Sequence, residues 1–184
     1  MINNEAFIES GLKGVWKYNP SVYVDSRGST SEWFSSANLP KSFINFNVNQ
    51  LLSVKNTKNV IRGIHFSGSD NVQLKVVKCV QGSILDLVVD LRIESDTFGQ
   101  HEVFLLDADQ EVTLFIPHGF GHAYQTLSEV ATVQYALQTE FRFNEEYVLN
   151  PFDDSLGISW QGENHILSEK DKHGLDFKSF FRLG

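Results

Sequence analysis

The sequence predicts a mainly β protein, a jelly roll or related barrel with a few short helices, and three observations carry that expectation. Short apolar runs rich in Val, Ile, Leu and Phe, the last numbering 15, recur along the 184 residues, and such residues favour the half-buried surface of a pleated strand. Several runs alternate apolar with polar positions, the period of a strand rather than a helix. Turn-forming clusters (SGSDN, QGS, SDTFG, DADQ, PHGFG and LSE) separate them, and about eight short strands at such spacing suit a jelly roll whose interior can house a ligand.

In chain order, NEAFIES is expected to form a short helix and ANLPKSF a second. In FINFNVNQ, Ile44, Phe46 and Val48 share one face and Asn45, Asn47 and Asn49 the other, so a strand is expected there. Further strands are expected at 59–66, 73–80, 84–91, 101–107, 112–116, 123–127 and 130–140, and a last helix after LSEKD. With 41% hydrophobic residues and no compositional break, a single domain over 1–184 is expected. Its parts are an amino-terminal arm at 1–42, a jelly-roll core at 43–140 and a carboxy-terminal segment at 141–184. The first residues lack a basic start and an apolar run of signal-peptide length, and no segment approaches the roughly 20 apolar residues that cross a bilayer. A cytoplasmic protein with no membrane partner is therefore expected. Cys79, the one cysteine, lies in VVKCV and is expected to fill core space.

A formal net charge of −8 argues against nucleic acid as a partner. Residues 41–82 run against this trend, with six basic side chains (Lys41, Lys55, Lys58, Arg62, Lys75, Lys78) against one acid, Asp70. That local +5 sits in a chain whose other residues, nine basic against 22 acidic, carry −13. A small anion could be held there; the alternative is a solvated basic sheet edge that guards against mispairing.

Within that stretch, RGIHFSGSDNVQLK reads as a strand, a polar turn and a second strand. A turn centred on Asp70 would set His65 directly opposite Lys75, with β-carbons about 5 Å apart. Arg62, three residues from His65, would face the other side of a regular strand, but a bulge at Gly63 could turn both inward. Metal binding is disfavoured. His65 is followed by Phe66 and Ser67 rather than by a His-x-His pair, and His118 and His122 in HGFGH lie on a glycine-rich turn, where their spacing does not bring two imidazoles together.

VIRGIHF, QLKVVKCVQGSILDLVVDLRIESDTFGQ, FIPHGFGHAYQTLSE and NPFDDSLGISW, in this order and at these separations, resemble the dTDP-4-dehydrorhamnose 3,5-epimerase family. The resemblance runs from about Asp25 to Asp171. It implies a cupin-type jelly-roll barrel and a homodimer that exchanges amino-terminal strands, with no metal and no organic cofactor. It also implies epimerisation at C3, C5 or both of a nucleotide-linked 4-keto-6-deoxy sugar, in deoxysugar biosynthesis. Hydrogens beside a ketone are weakly acidic, so their removal needs a positioned base and a cation or donor for the developing enolate. By resemblance, His65 is that base, Lys75 sits near the enolate oxygen, and Tyr135 returns a proton from the opposite side of the sugar. Asp171 is implied to orient the imidazole, although Ser168 and Asp171 also have capping-box spacing at a helix start. Arg62 matches the diphosphate-binding residue, and Arg27, Glu32, Gln50, His122 and Lys170 match other substrate-binding positions.

Departures bear on the substrate. In DSRGSTSE, Ser29 and Thr30 replace two aromatics common in the family; Leu52 and Val54 stand where Asn and Ser are usual, and Glu140 where a site Tyr is common. These changes suggest an altered sugar or base: GDP for dTDP, a heptose for a hexose, or inversion at one carbon only. Two other classes stay open at this point, a non-catalytic sugar-binding jelly roll and a metal-dependent oxygenase or isomerase.

Overall fold

Strands that alternate bury one face each, and here they do so against one another in two facing sheets. The computed structural model describes residues 6–68, 72–140 and 146–182. Its strands are β1 Phe7–Glu9, β2 Trp16–Tyr18, β3 Val22–Asp25, β4 Gly28–Ser31, β5 Gln50–Thr57, β6 Ile61–Ser67, β7 Lys75–Gln81, β8 Ser83–Asp90, β9 His101–Asp107, β10 Thr113–Ile116, β11 Phe120–Thr126, β12 Val130–Leu137 and β13 Glu146–Val148. Two short helices follow, α1 Glu169–Lys172 and α2 Phe177–Phe181. One sheet has the order β1-β2-β10-β7-β12-β5, the other β13-β6-β11-β8-β9, and β3-β4 form a separate hairpin. Neighbours in all three pair antiparallel. This is the jelly-roll architecture; among the described residues no ladder closes the two sheets into a barrel.

The core lies between and on both sides of the sheets. Val77, Cys79, Ile84, Val88, Leu106, Leu114, Tyr124 and Val133 fill the interior, so Cys79 packs as core. Phe43, Phe46, Val76 and Phe115 seal the outer face of the six-stranded sheet, while Leu149, Leu156 and Phe177 from the carboxy-terminal segment cover the five-stranded one. The central strands β7 and β11 are consequently buried on both faces. Among the described residues no helix is long and apolar enough to cross a membrane.

Several expectations need correction. FINFNVNQ is not a strand: Lys41–Phe43 form a 3-10 turn and the strand begins at Gln50. The buried residues there are Phe43 and Phe46, whose rings meet edge-on at 5.5 Å, whereas Ile44 is 76% exposed; the i, i+3 spacing of two aromatics outweighs the alternation. In ANLPKSF the expected helix is replaced by that 3-10 turn and by a turn closed by Asn38 N–H on Ser35 O. In NEAFIES, Phe7–Glu9 add a strand to β2 rather than a helix; residues 4 and 5 lie outside the described residues.

His65 and Lys75 are not paired across a hairpin. His65 lies opposite His122 and Val148 in one sheet, and Lys75 opposite Ile116 and Leu137 in the other. The connection between β6 and β7 crosses from sheet to sheet, and its expected turn at Asp70 falls outside the described residues. The expected bulge at Gly63 is present. The register of β6 against β11 slips between Tyr124↔Arg62 and His122↔His65, three residues against two. Gly63 has φ +115°, and a β-carbon on it would approach His122 O to 2.5 Å and Ala123 Cβ to 2.6 Å. Gly63→Ala is therefore expected to lower stability by about 2 kcal/mol or more in a denaturant melt; an unchanged midpoint would show that the backbone accommodates the methyl freely.

Candidate active site

The interior apolar core stops short of one end of the sandwich, and the inward positions there are polar. They enclose a cavity of about 340 Å³ lined by Arg62, His65, His122, Tyr124 and Glu146 from the five-stranded sheet, Leu52, Val54, Lys75, Tyr135 and Leu137 from the six-stranded sheet, and Gln73, Ser168, Lys170 and Asp171 from connecting segments and α1. Alternation explains the selection: His122 and Tyr124 are two apart on β11, as are Leu52 and Val54 on β5, while the Gly63 bulge puts Arg62 and His65 on the same side.

His65 is held by two carboxylates. Its Nε2 lies 2.5 Å from Asp171 Oδ1, and its Nδ1 lies 3.8 Å from Glu146 Oε1. Asp171 is itself fixed at the start of α1. The Ser168 hydroxyl donates to Asp171 Oδ2 at 2.8 Å, and the Asp171 N–H donates to Ser168 Oγ at 3.1 Å. Ser168 thus caps the helix and holds the carboxylate, and Asp171 orients the histidine. Burial pushes the Asp171 carboxyl up, but the His65 hydrogen bond and charge, with Ser168 and Arg62, leave it below the ordinary aspartate value. Glu146 also accepts from Lys170 Nζ at 3.1 Å.

A second histidine–carboxylate pair sits deeper. His122 Nε2 is 2.8 Å from Asp86 Oδ2, and Asp86 is fully buried. Burial raises the Asp86 carboxyl, against the pull of His122 and Lys75. On the facing sheet, burial lowers the Lys75 ammonium, opposed by Glu146 and Asp86, which makes it a readier proton donor. The Tyr135 ring meets His122 edge-on at 5.9 Å. Desolvation, followed by the neighbouring Tyr124 and Asp86, raises the Tyr135 phenol well above its usual value. Among the described residues no cluster of three or more His, Cys, Asp or Glu has the geometry to hold a metal ion.

Seven of the residues singled out in the sequence therefore share this cavity: His65, Lys75, Tyr135, Asp171, Arg62, His122 and Lys170. Arg27, Glu32 and Gln50 do not line it. Arg27 is at the tip of the β3–β4 hairpin, 88% exposed and paired with Asp25 at 2.6 Å. The basic run 41–82 does not form one patch either. Lys78, one residue out of phase with Lys75, points to the other face and pairs with Glu111, Lys58 pairs with Glu129, and Lys55 is exposed. Only Arg62 and Lys75 of the six reach the cavity. The sequence alone does not point to Glu146, Asp86, Tyr124 or Asn56, whose Oδ1 accepts from Arg62 Nε at 2.7 Å; a lone acid inside the apolar run ILDLVV is the signal for Asp86, since an unpaired buried carboxylate is costly.

The model of the dTDP-4-dehydrorhamnose 3,5-epimerase family matches residues 9–179. The chain belongs to this family. It is 34% identical over 165 residues to the dTDP-4-dehydrorhamnose 3,5-epimerase of Mycolicibacterium smegmatis, a match spanning 89% of this chain and 81% of that one. A dTDP-4-dehydro-6-deoxyglucose 3-epimerase of a Streptomyces species is 33% identical over 175 residues, 94% of this chain and 89% of the relative. The crystal structure of a 3'-monoepimerase from Streptomyces bikiniensis in complex with dTDP-quinovose superposes with a TM-score of 0.88 at 31% identity, covering 96% of this chain and 90% of that one. The relatives are epimerases, and this chain is an isomerase of their kind.

The His65–Asp171 pair has a signature in stability. A carboxyl held below its ordinary value stabilises the fold above that value, and the contribution is lost as pH falls through the folded one. Asp171→Asn should therefore cost about 2 kcal/mol at pH 7, and the cost should shrink as pH falls below the ordinary value of 3.8. Denaturant melts at pH 7 and pH 3 measure it; an equal cost at both would contradict an ionised Asp171.

Proposed function

We propose that the chain epimerises a dTDP-linked 4-keto-6-deoxyhexose at C3, C5 or both, by proton removal and return through an enolate. The observation that carries this reading is the placement of an acid–base set on two facing sheets: His65, held by Asp171, on one, and Lys75 and Tyr135 on the other, across a cavity of about 340 Å³.

In the proposed mechanism His65 takes the hydrogen beside the ketone, and the imidazolium formed is stabilised by Asp171 and Glu146. The Lys75 ammonium donates to the carbonyl oxygen as negative charge gathers there; a partly desolvated cation is most effective at that point. Inversion requires the proton to return from the other side, which is the task of the Tyr135 phenol. Arg62, with terminal nitrogens free of its Asn56 bond, binds the diphosphate. His122 and Lys170 bind the sugar, and Leu52, Val54 and Leu137 give it an apolar wall.

Arg27, Glu32 and Gln50 are assigned to the nucleotide end, the first two across a homodimer with exchanged amino-terminal strands. Support for that assembly comes from the β3–β4 hairpin, which stands apart from both sheets and exposes Tyr23 and Val24 by 72% and 77%. An exposed apolar pair on a detached hairpin suits burial against a second copy. The relatives named for dTDP-linked hexoses favour that substrate over a GDP-linked heptose, and the cavity's base, cation and phenol favour catalysis over simple binding.

The test is incubation of dTDP-4-dehydro-6-deoxyglucose in D₂O, with NMR locating deuterium. Wild-type protein should introduce it at C3, C5 or both with inversion, and His65→Asn should lower exchange at every carbon by about 10²-fold or more. Near-normal exchange in His65→Asn would defeat the assignment of the base, and no exchange in the wild-type would defeat the function.

A further inference from the structure

The two sheets give the cavity walls of opposite character. Every lining residue from the five-stranded sheet, Arg62, His65, His122, Tyr124 and Glu146, carries a polar group. From the six-stranded sheet only Lys75 and Tyr135 do, and the remainder of its lining, Leu52, Val54 and Leu137, supplies the cavity's apolar side chains. Register joins these into one surface. Tyr135 pairs with Leu52 on β5 and with Val77 on β7, Leu137 pairs with Lys75, and Val54 lies two residues beyond Leu52, opposite Val133. Cross-strand partners share a face, so the phenol and the ammonium rise from an otherwise apolar wall.

The proposed substrate meets these walls unequally. In the chair of an α-linked 4-keto-6-deoxyglucose the hydrogens at C3 and C5 and the diphosphate project from the same ring face, while the opposite face presents only hydrogen. His65 and Arg62 lie on the five-stranded sheet, so that sheet takes the first face and the apolar wall takes the second. Return of a proton from Tyr135 then drives the displaced substituent toward the polar wall. At C3 this substituent is a hydroxyl, which gains hydrogen-bond partners there. At C5 it is a methyl, carried away from Leu52, Val54 and Leu137 and in among the guanidinium, the imidazole and the diphosphate.

We propose that Leu52, Val54 and Leu137 are specificity-determining residues that direct inversion to C3 and oppose it at C5. The proposal deepens the epimerase reading and rests on it. At C3 the C–H bond breaks, its proton passes to His65, and its electron pair becomes the enolate whose oxygen Lys75 holds. The Tyr135 O–H bond then breaks, the enolate's electron pair forms the new C–H bond on the other face, and the ketone is restored. Tyr135 regains a proton from solvent, and His65 releases the one it took.

The test uses dTDP-4-dehydro-6-deoxyglucose in D₂O, with NMR following configuration at C3 and C5 separately. Wild-type protein should invert C3 about tenfold or more faster than C5, the combined effect of one hydrogen bond gained and one methyl kept on apolar surface. Leu52→Asn and Val54→Thr change polarity with little change in size. Each should raise the ratio of C5 to C3 inversion by about three- to tenfold, because the methyl then leaves a less apolar wall; Val54→Thr keeps the branched shape and serves should Leu52→Asn fold poorly. Wild-type inversion at C5 as fast as at C3 or faster, or a wild-type ratio in both variants, overturns the specificity role while leaving the epimerase reading intact. A wild-type protein that neither exchanges nor inverts at either carbon overturns both.

Discussion

Residues three apart on a regular strand face opposite ways, so Arg62 and His65 can serve one cavity only where β6 breaks its alternation. The break is at Gly63, with φ +115° and no room for a side chain beside β11. Its consequences spread outward. The slipped register sets His65 opposite His122 and keeps Arg62 beside Tyr124, so both strands send their polar side chains the same way. β13 then pairs on the far edge of β6 and brings Glu146 to His65, while Asp171 arrives from α1. The cavity is assembled around one backbone irregularity.

Filling the end of a β-sandwich with ionisable groups is costly unless each finds a partner. Here the charges interlock. Asp171 and Glu146 flank His65, Glu146 also takes Lys170, Asp86 takes His122, and Lys75 feels both Glu146 and Asp86. The same groups that satisfy one another are those a ketone and its enolate would meet in the proposed reaction. Desolvation lowers the lysine and raises the two cavity tyrosines, Tyr124 to about 12, which separates a group ready to donate from phenols that hold their protons.

What the sequence revealed follows the range of each signal. Apolar runs between turn signals located β6 to β12 to within a few residues, even where the alternation breaks at Gly63. Periodicity failed at 41–49, where the aromatic pair Phe43 and Phe46 sets the conformation, and at β1, three residues long and held by pairing to β2. The residues meeting at the cavity were mostly legible through the family motifs, but their arrangement was not. A local hairpin explained the nearness of His65 and Lys75 in the sequence, whereas the fold brings them together across two sheets. Asn56 and Glu146 carry no local mark; their partners, Arg62 and Tyr124 for the one and His65 and Lys170 for the other, come from elements distant in the chain or in another sheet. The run of positive charge misled for a related reason, since Lys75 and Lys78 differ in phase and so point to opposite faces.

The division of labour between the two sheets is tested most directly by Tyr135→Phe with dTDP-4-dehydro-6-deoxyglucose in D₂O, following deuterium and configuration at C3 and C5 together. With His65 and Lys75 in place but no phenol opposite, the enolate should form and be reprotonated from the side it lost its proton. Deuterium should then enter recovered substrate while inverted product falls by about 10²-fold. Inversion at the wild-type rate would contradict the account, because the returning proton would have to come from somewhere other than the facing sheet's phenol.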